Sequence, residues 1–295
     1  MKAFSYKIYF FLIPVLVYQL IFGIYPLIYN LILSFKEVTL ITYLGGGISQ
    51  WIGLSNYLQI LKDPVFQKAI FNTLIFTGLS LSFQFIIGFW LALLFNHTFP
   101  LKGLFQSLIM IPWVLPIMVS GSFFRWFFND QGMANNFLLS WGFINKPIPW
   151  ITSKIFPILS ITAANIWLGI PFTFILLYTG LRAIPLELFE SAEIDGANWW
   201  QKILYITVPL LKPVIITILT LGTILTVKAF DLIWIMTKGG PGDVSHLFTT
   251  LSYSLAFNKF HFGKASSLLV IMVLLVVGLT FLFNSTKVEE ESSIE

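Results

Sequence analysis

The chain has 295 residues, of which 57% are hydrophobic and only 10% are charged. Soluble domains carry about 25% charged residues, so this composition excludes an ordinary soluble protein and indicates a membrane protein. The sequence contains no cysteine, which excludes disulfides, thiolate zinc sites and iron–sulfur clusters. Its net charge of +4 comes from scattered residues without a basic stripe, which argues against nucleic acid as a partner.

Long uninterrupted apolar runs predict an all-α membrane protein, because a helix needs about 20 apolar residues to cross the hydrocarbon core. A membrane barrel would show short segments of alternating polarity instead. The first run is too long for a signal-peptide core and no small-residue cleavage site follows it, so we expect an uncleaved span. We predict a single transmembrane domain, 1–295, with six spans at about 8–35, 69–95, 103–128, 155–181, 213–237 and 265–283.

The basic residues give weak information on the orientation of these spans. Lys2, Lys7 and Lys102 favour a cytoplasmic N-terminus, since basic residues concentrate in short cytoplasmic loops. Counted over all the connections, the basic residues do not decide between the two orientations.

The connection between the fourth and fifth spans, 185–213, is unusually polar. Its pattern predicts a helix–turn–helix, with a first helix that begins after Pro185 and ends near Gly196. A second short helix, "NWWQKILYI", is expected to be closed by Pro209 and Pro213. The residues alone leave two interpretations: an interfacial pair of helices that joins two spans, or a docking surface for a soluble partner.

Mostly small residues on the fifth span are spaced so that they are expected to share one face of the helix. Gly222, Leu225, Thr226 and Ala229 repeat at spacings of three and four, which places them together. Such a face serves either tight helix packing or the wall of a cavity, and the spacing does not choose between them.

Two residues of opposite charge lie near the end of the same span. Lys228 and Asp231 are three residues apart, so on one helix they are expected to meet on one face. Charges inside a bilayer are costly, and a mutual pair lowers that cost. The two residues either pair for structural reasons or line a cavity.

The sequence offers no catalytic motif. It contains no G-x-x-x-x-G-K-[ST] segment for ATP, and no Ser/His/Asp set converges in a readable motif. His97, His246 and His261 lie in separate loops and are expected to be solvated or interfacial. We therefore expect no catalytic residue, no metal site and no cofactor.

The polar connection resembles the signature loop of permease subunits of binding-protein-dependent ABC importers. That loop reads Glu-Ala-Ala, two residues, Asp-Gly-Ala and a downstream Leu-Pro. The residues that align with this pattern are Glu190, Ser191, Ala192, Asp195, Gly196, Ala197, Val208 and Pro209. Two of them depart from it by a small change, since Ser191 stands in place of an alanine and Val208 in place of the leucine. Other blocks agree, including "IPVLVYQLIFGIYPLIYNLILSF" in the first span and "IPWVLPIMVSGSFFRWFFNDQGMAN" in the third.

Two further motifs narrow the resemblance. "TKGGP" and "WLGIPF" are similar to segments of the carbohydrate-uptake group of the maltose and glycerol-3-phosphate type, and "TKGGP" marks one half of its permease pair. The resemblance implies a second, different permease, two copies of an ABC ATPase and an extracytoplasmic binding protein that delivers a sugar or related polyol. It also implies a bacterial or archaeal cytoplasmic membrane with both termini in the cytoplasm.

The resemblance also assigns roles to residues. ATPase coupling falls to Glu190, Ser191, Ala192, Asp195, Gly196 and Ala197, and the substrate pathway falls to Gly169, Phe172, Gly222, Leu225, Thr226 and Ala229. The maltose type has asparagines where this chain has Thr226 and Ala229, so the identity of the sugar stays open. ATP would be hydrolysed by the separate ATPase, not by this chain.

Two other classes of function fit the sequence less well. A stand-alone secondary transporter or channel should carry intramembrane carboxylates or inverted repeats, and only Asp231 qualifies. A membrane-embedded enzyme should show converging catalytic groups, which the sequence lacks.

Overall fold

The structure is a computed structural model that describes residues 12–44 and 49–291, with side chains for 12–42 and 49–283. Residues 8–11 of the predicted first span lie outside the described residues, as do Lys2 and Lys7.

The described chain is mostly helical. Thirteen helices are labelled here in chain order: α1 Leu12–Ser34, α2 Leu40–Leu44, α3 Ser55–Lys62, α4 Pro64–Asn96, α5 Lys102–Val114, α6 Ile117–Phe127, α7 Met133–Ser140, α8 Pro157–Arg182, α9 Leu186–Ile194, α10 Trp199–Val227, α11 Asp231–Met236, α12 Phe248–Tyr253 and α13 Phe262–Glu291. Wide π turns lie inside α1 at Leu20–Ile24 and inside α10 at Ile203–Thr207, and another, Ser254–Asn258, follows α12. Two short strands, β1 Lys36–Glu37 and β2 Gln50–Trp51, pair antiparallel.

Five of these helices are long and apolar enough to cross a membrane: α1, α4, α8, α10 and α13. The pair α5 and α6 makes a sixth span if the two count as one, although they are bent by 96°. The all-α, multi-span fold class is confirmed.

The bend in the third span has a local cause in the sequence "IPWVLP". Leu115 has ψ of 135°, because a residue before proline avoids the helical region, and Pro116 then caps α6. The predicted single span over 103–128 does not include this break.

The described residues divide into two compact units, of which the first holds those up to Gln67 together with Leu251–Leu274. Within it, Asn56 is buried and donates to the carbonyls of Ser34 and Lys36, each at 2.9 Å. These bonds hold the start of α3 against the end of α1.

The second unit, Lys68–Thr250 with the described residues from Leu275 to Glu291, contains two apolar clusters. One joins α4, α6, α8 and α11 through Phe76, Phe124, Ile161, Ala164, Leu232, Ile233 and Met236, and it also holds Leu247. The other joins α4, α8 and α10 through Ala92, Phe95, Phe174, Leu177, Tyr178, Leu181, Leu211 and Ile218. Helices α4 and α8 approach closely at Gly88, where a Cβ would lie 2.8 Å from Thr173 Cγ2.

The fifth span differs from the predicted 213–237 at both ends. Its helix already begins at Trp199 and ends at Val227, and α11 starts separately at Asp231. The break is stabilised because Thr249 Oγ1 donates to the Ala229 carbonyl at 2.6 Å. The short helix α11 then buries Leu232 in the first apolar cluster.

Candidate functional site

The loop between α8 and α10 begins with α9, whose C-terminus is closed by its own backbone. The amide of Gly196 donates to the Glu193 carbonyl at 3.0 Å, and the amide of Ala197 donates to the Ala192 carbonyl at 2.8 Å. These two bonds form a Schellman motif, which places a left-handed residue just past the helix end. Gly196 supplies it with φ of +78°, so the predicted end of the helix near Gly196 is confirmed.

The helix α10 begins directly after this turn with a capping box. Asn198 Oδ1 accepts from the Gln201 amide at 2.9 Å, and Gln201 Oε1 accepts from the Asn198 amide at 2.7 Å. Two amide groups that would otherwise lack partners are thereby satisfied. Sequence reasoning missed Asn198 and Gln201, although a polar residue followed three positions later by Gln is the known signal.

The predicted second short helix, closed by Pro209 and Pro213, is wrong. The helical turn at Trp199 continues through the π turn Ile203–Thr207 into the fifth span without a break. Pro209 lies just after the π turn, and both Pro209 and Pro213 lie inside this continuous helix. The helix–turn–helix is therefore formed by α9 and the first turns of a membrane span.

A salt bridge joins the two helices of the turn. Lys202 Nζ lies 2.5 Å from Glu193 Oε1, and the lysine side chain is the more buried of the two. On α9 itself, Ser191 Oγ donates to the Glu187 carbonyl at 2.7 Å. The predicted coupling residue Ser191 thus makes a bond within its own helix, while Glu193 connects α9 to α10.

Three tryptophans attach the loop to the second span. Trp90 of α4 stacks on Trp199 with ring centres 5.9 Å apart and meets Trp200 edge-on at 6.0 Å. Trp199 and Trp200 also contact each other at 4.7 Å. Sequence reasoning noted both tryptophans of the loop and missed Trp90.

The outward surface of α9 is open. The helix contains no buried residue, and Ile194 is 87% exposed. Glu190 is exposed as well. Four of the six predicted coupling residues line one shallow hollow beside the turn: Ala192, Asp195, Gly196 and Ala197. The structure therefore brings together small residues on an exposed and internally fixed helix–turn unit.

The predicted substrate-pathway residues on α8 lie in two environments. Gly169 is covered by the side chain of Gln84, and a Cβ at Gly169 would lie 2.3 Å from Gln84 Cδ. Gln84 is buried and donates to the Asn165 carbonyl at 2.9 Å. Phe172 is partly exposed and meets the exposed Trp113 of α5 edge-on at 6.3 Å. Sequence reasoning missed Gln84, a lone amide in an apolar span.

Of the predicted common face on the fifth span, Gly222, Leu225 and Thr226 lie within the continuous helix, whereas Ala229 does not belong to it. Gly222 is buried against α4, where a Cβ would lie 2.7 Å from Leu81 Cδ2. Thr226 is also buried, whereas Leu225 is 48% exposed. Ala229 lies past the helix end and packs against the first apolar cluster. Helical spacing predicts a shared face only while the helix continues and turns regularly.

The expected meeting of Lys228 and Asp231 on one helix face is also wrong. Lys228 is the C-terminal cap of α10, and Asp231 is the first residue of α11. Both side chains are exposed, and the ion pairs found among the described residues do not join them. The break at Ala229 and Phe230 separates the two charges.

The histidines are only partly as predicted. His97 and His261 are exposed, but His246 is buried, with Nδ1 3.1 Å from Thr250 Oγ1 and Nε2 3.2 Å from Asp243 Oδ1. Within the described part of the chain, His, Asp and Glu side chains form no group of three that could hold a metal ion.

Comparison with known proteins identifies the family. Residues 84–286 match the family described as binding-protein-dependent transport system inner membrane component. The chain belongs to this family. It is therefore a multi-pass membrane component of a transport system, and the predicted resemblance is confirmed.

Several named relatives align along nearly the whole chain. The trehalose/maltose transport system permease protein MalF of Thermococcus litoralis is 33% identical over 279 residues, which are 93% of this chain and 91% of that protein. The arabinooligosaccharides transport system permease protein AraP of Bacillus subtilis is 33% identical over 280 residues, covering 92% and 86%. The lactose transport system permease protein LacF of Rhizobium radiobacter is 30% identical over 277 residues, covering 92% and 91%.

Solved structures show the same fold. A chain in the crystal structure of a bacterial ABC transporter involved in the import of the acidic polysaccharide alginate matches with a TM-score of 0.81 and 23% identity, over 96% of both chains. A second structure, of the alginate ABC transporter in complex with an alginate pentasaccharide-bound periplasmic protein, matches with the same TM-score of 0.81.

Proposed function

We propose that this chain is one of two membrane subunits of an ABC importer for a sugar or a related polyol. Relatives at 30–33% identity carry the names of transport systems for trehalose and maltose, arabinooligosaccharides, and lactose, which supports this class of substrate. The partners are a second, different permease, two copies of an ATPase and an external binding protein. The family match favours this role over a stand-alone secondary transporter or channel.

The observation that carries the proposal is the exposed and internally closed unit of α9 and its turn. A segment that transmits force between proteins has to keep its shape without support from its surroundings. Here the Schellman motif, the capping box and the Glu193–Lys202 salt bridge are all made within the loop. The hollow beside Gly196 is lined by small residues that permit close approach of a partner surface.

In the proposed mechanism α9 seats on the ATPase and moves with it. Since α10 continues from the turn into the fifth span, a displacement of α9 acts directly on the base of a membrane helix. ATP-driven closure of the two ATPases then switches the paired permeases between inward-open and outward-open states. This chain contributes no catalytic residue, and ATP is hydrolysed on the partner.

The substrate pathway remains a proposal for Gly169, Phe172, Gly222, Leu225, Thr226 and Ala229. Within this set, the partly exposed Phe172 beside Trp113 offers aromatic surface that suits the C–H face of a sugar ring. Gly169 and Gly222 lie against Gln84 and Leu81, so they contribute to the path by letting spans approach closely.

The proposed orientation places both termini and α9 in the cytoplasm. A reporter fused after Ala197 is expected to read cytoplasmic, and one fused after Gly242 is expected to read external. The reverse pattern would put α9 on the side of the binding protein and exclude its docking to the ATPase.

Charge reversal at Glu190 tests the docking role itself. In the assembled importer, Glu190→Lys is expected to lower both the amount of ATPase that co-purifies and the rate of transport at equal expression. Membrane insertion should be unchanged, because Glu190 is exposed on a surface helix. Glu37→Lys, which reverses an exposed charge on β1, serves as the matched control. Full ATPase retention and normal uptake with Glu190→Lys would leave the loop as a simple linker.

A further inference from the structure

One glutamine side chain connects two membrane spans through the backbone of the second. Gln84 lies on α4 and is only 5% exposed, and its Nε2 donates to the Asn165 carbonyl of α8 at 2.9 Å. The same side chain fills the space over Gly169, one turn further along α8, where an added Cβ would lie 2.3 Å from both Cδ and Nε2. Gln84 therefore holds α8 at two successive turns.

The amide group of Gln84 is the feature that needs an explanation, since an apolar side chain could fill the same space. A buried polar group is costly inside a membrane, and hydrogen bonds between membrane helices add only little stability. What the amide adds is direction, because a hydrogen bond fixes the distance and angle between a donor and one particular carbonyl. Gln84 therefore determines the position of α8 against α4 more than it stabilises their association.

The bond acts on the stretch of α8 that the hydrogen bonds of the helix itself hold least. Pro171 lies inside the helix and has no amide, so it cannot donate to the Trp167 carbonyl. Prolines of this kind are the usual sites at which helices bend. The Asn165 carbonyl lies just before this stretch, and Gly88 of α4 meets Thr173 just after it. The weak part of α8 is thus held from α4 on both sides.

Phe172 follows Pro171 directly and offers aromatic surface on α8. Its ring is partly exposed and meets the exposed Trp113 edge-on at 6.3 Å. Because a side chain moves with its backbone, the position of this ring depends on the path of α8 past Pro171. Dispersion attraction to a sugar is lost when the two surfaces separate by less than an ångström, so the position of the ring matters.

We propose that Gln84 is a positioning residue of the substrate pathway. Its bond to the Asn165 carbonyl holds α8 before Pro171 and so sets where Phe172 presents its ring to the transported sugar. This inference rests on the proposed function, and it adds a residue that acts through Phe172 without touching the sugar.

The first test removes the amide and keeps much of the bulk. For Gln84→Leu, in proteoliposomes with the full importer and its binding protein, we expect the sugar taken up per ATP hydrolysed to fall about 3- to 18-fold. That factor corresponds to one hydrogen bond between membrane helices. ATPase activity and unfolding temperature should stay near wild type, because α9 is unchanged and the Asn165 carbonyl can keep its partner within α8. The probes are radiolabelled maltose, trehalose and lactose, and unchanged uptake per ATP would overturn the proposal.

Two further variants separate positioning from packing. Phe172→Leu should lower uptake per ATP by a similar factor, and the double variant Gln84→Leu/Phe172→Leu should show no additional loss, because both changes act on one ring. The control is Ser80→Ala, which removes a buried hydroxyl one turn earlier on α4 that has no hydrogen-bond partner among the described residues. It should leave uptake per ATP unchanged. Additive losses in the double variant, or an equal loss with Ser80→Ala, would refute the positioning role.

A measurement without sugar keeps this inference separate from the proposed function. Hydrogen exchange of the α8 amides at positions 166–170 is expected to be faster in Gln84→Leu than in wild type and in Ser80→Ala. Equal exchange in all three proteins would overturn the positioning role, whichever sugar is carried. A wild-type importer that takes up no sugar would instead contradict the proposed function, and the exchange rates would still decide the role of Gln84.

Discussion

The two ends of α10 hold their turns in different ways. At the N-terminal end, every bond that shapes the turn is local, from the Ala197 amide on the Ala192 carbonyl to the capping box of Asn198. At the C-terminal end the break depends on a distant residue, since Thr249 Oγ1 donates to the Ala229 carbonyl. A locally closed turn can remain intact on an exposed surface, whereas the other turn needs the packed interior around it.

The largest effect is expected where the turn depends on distant contacts. Thr249→Val keeps the shape of the side chain and removes the donor to Ala229, which leaves a carbonyl without its partner. Such a loss costs about 1–3 kcal/mol. We expect a lower unfolding temperature of the purified importer, measured by a thermal shift assay in detergent.

The control for this change is a threonine with a local bond. Thr179 Oγ1 donates to the Ile175 carbonyl of its own helix at 2.8 Å, and the side chain is exposed. Since that carbonyl also lies in the ladder of α8, Thr179→Val is expected to have little effect. An equal loss of stability in both variants would remove the contrast between the two turns.

Local and distant contacts also explain which predictions from the sequence are confirmed. The end of α9 could be predicted because Gly196 and the residues around it contain all of the turn. The break at Ala229 could not, because Thr249 lies 20 residues further along the chain and its contact exists only in the folded protein. The same reason separates Lys228 from Asp231, whose spacing suggested a pair on one continuous helix.

The side chains that pack against the glycines of the spans could not be predicted from the sequence either. A glycine in an apolar run predicts that a group from a neighbouring helix approaches its backbone closely, but the sequence does not identify that group. The structure shows the side chains of Gln84 at Gly169 and Leu81 at Gly222. The start of α10 was missed for another reason, since Pro209 and Pro213 suggested an end to a helix that passes through them.

The second prediction concerns strain at the local turn. Gly196→Val should destabilise the turn by about 1–2 kcal/mol, because a β-branched residue is unfavourable in the left-handed region. No atom lies within 4 Å of the added Cβ, so the effect comes from the backbone alone. Such an energy corresponds to about 5–30-fold in an opening equilibrium, measured as faster hydrogen exchange of the Ala197 amide.

A matched glycine separates strain from docking. Gly142 has φ of +73° and equally open surroundings in the connection between α7 and α8. Gly142→Val carries the same strain and should leave exchange in α9 and ATPase co-purification unchanged. If Gly142→Val impaired transport as much as Gly196→Val, the effect would not be specific to the coupling loop.

The third prediction concerns the capping box. Asn198→Ala removes the acceptor for the Gln201 amide and should destabilise the first turn of α10 by about 1 kcal/mol. Asn198→Asp keeps an acceptor and should behave like wild type. The measurement is hydrogen exchange of the Gln201 amide. Unchanged exchange in Asn198→Ala would mean that the π turn and the span, not the cap, hold this end of the helix.

The smallest effect is expected for the salt bridge between α9 and α10. Glu193 is largely exposed, and exposed ion pairs contribute about 0.2–1 kcal/mol. Glu193→Gln is therefore expected to raise hydrogen exchange in α9 by less than the loss of the Asn198 cap does in α10.

The difference in exchange between Glu193→Gln and wild type should shrink in high salt, because salt screens exposed charges. Glu190→Gln removes the same charge from α9 beyond its first turn and outside the ion pairs found among the described residues, so it should cause a smaller salt-dependent change than Glu193→Gln. If Glu193→Gln changed exchange more than Asn198→Ala at every salt concentration, the salt bridge, rather than the backbone caps, would be the main closure of the coupling loop.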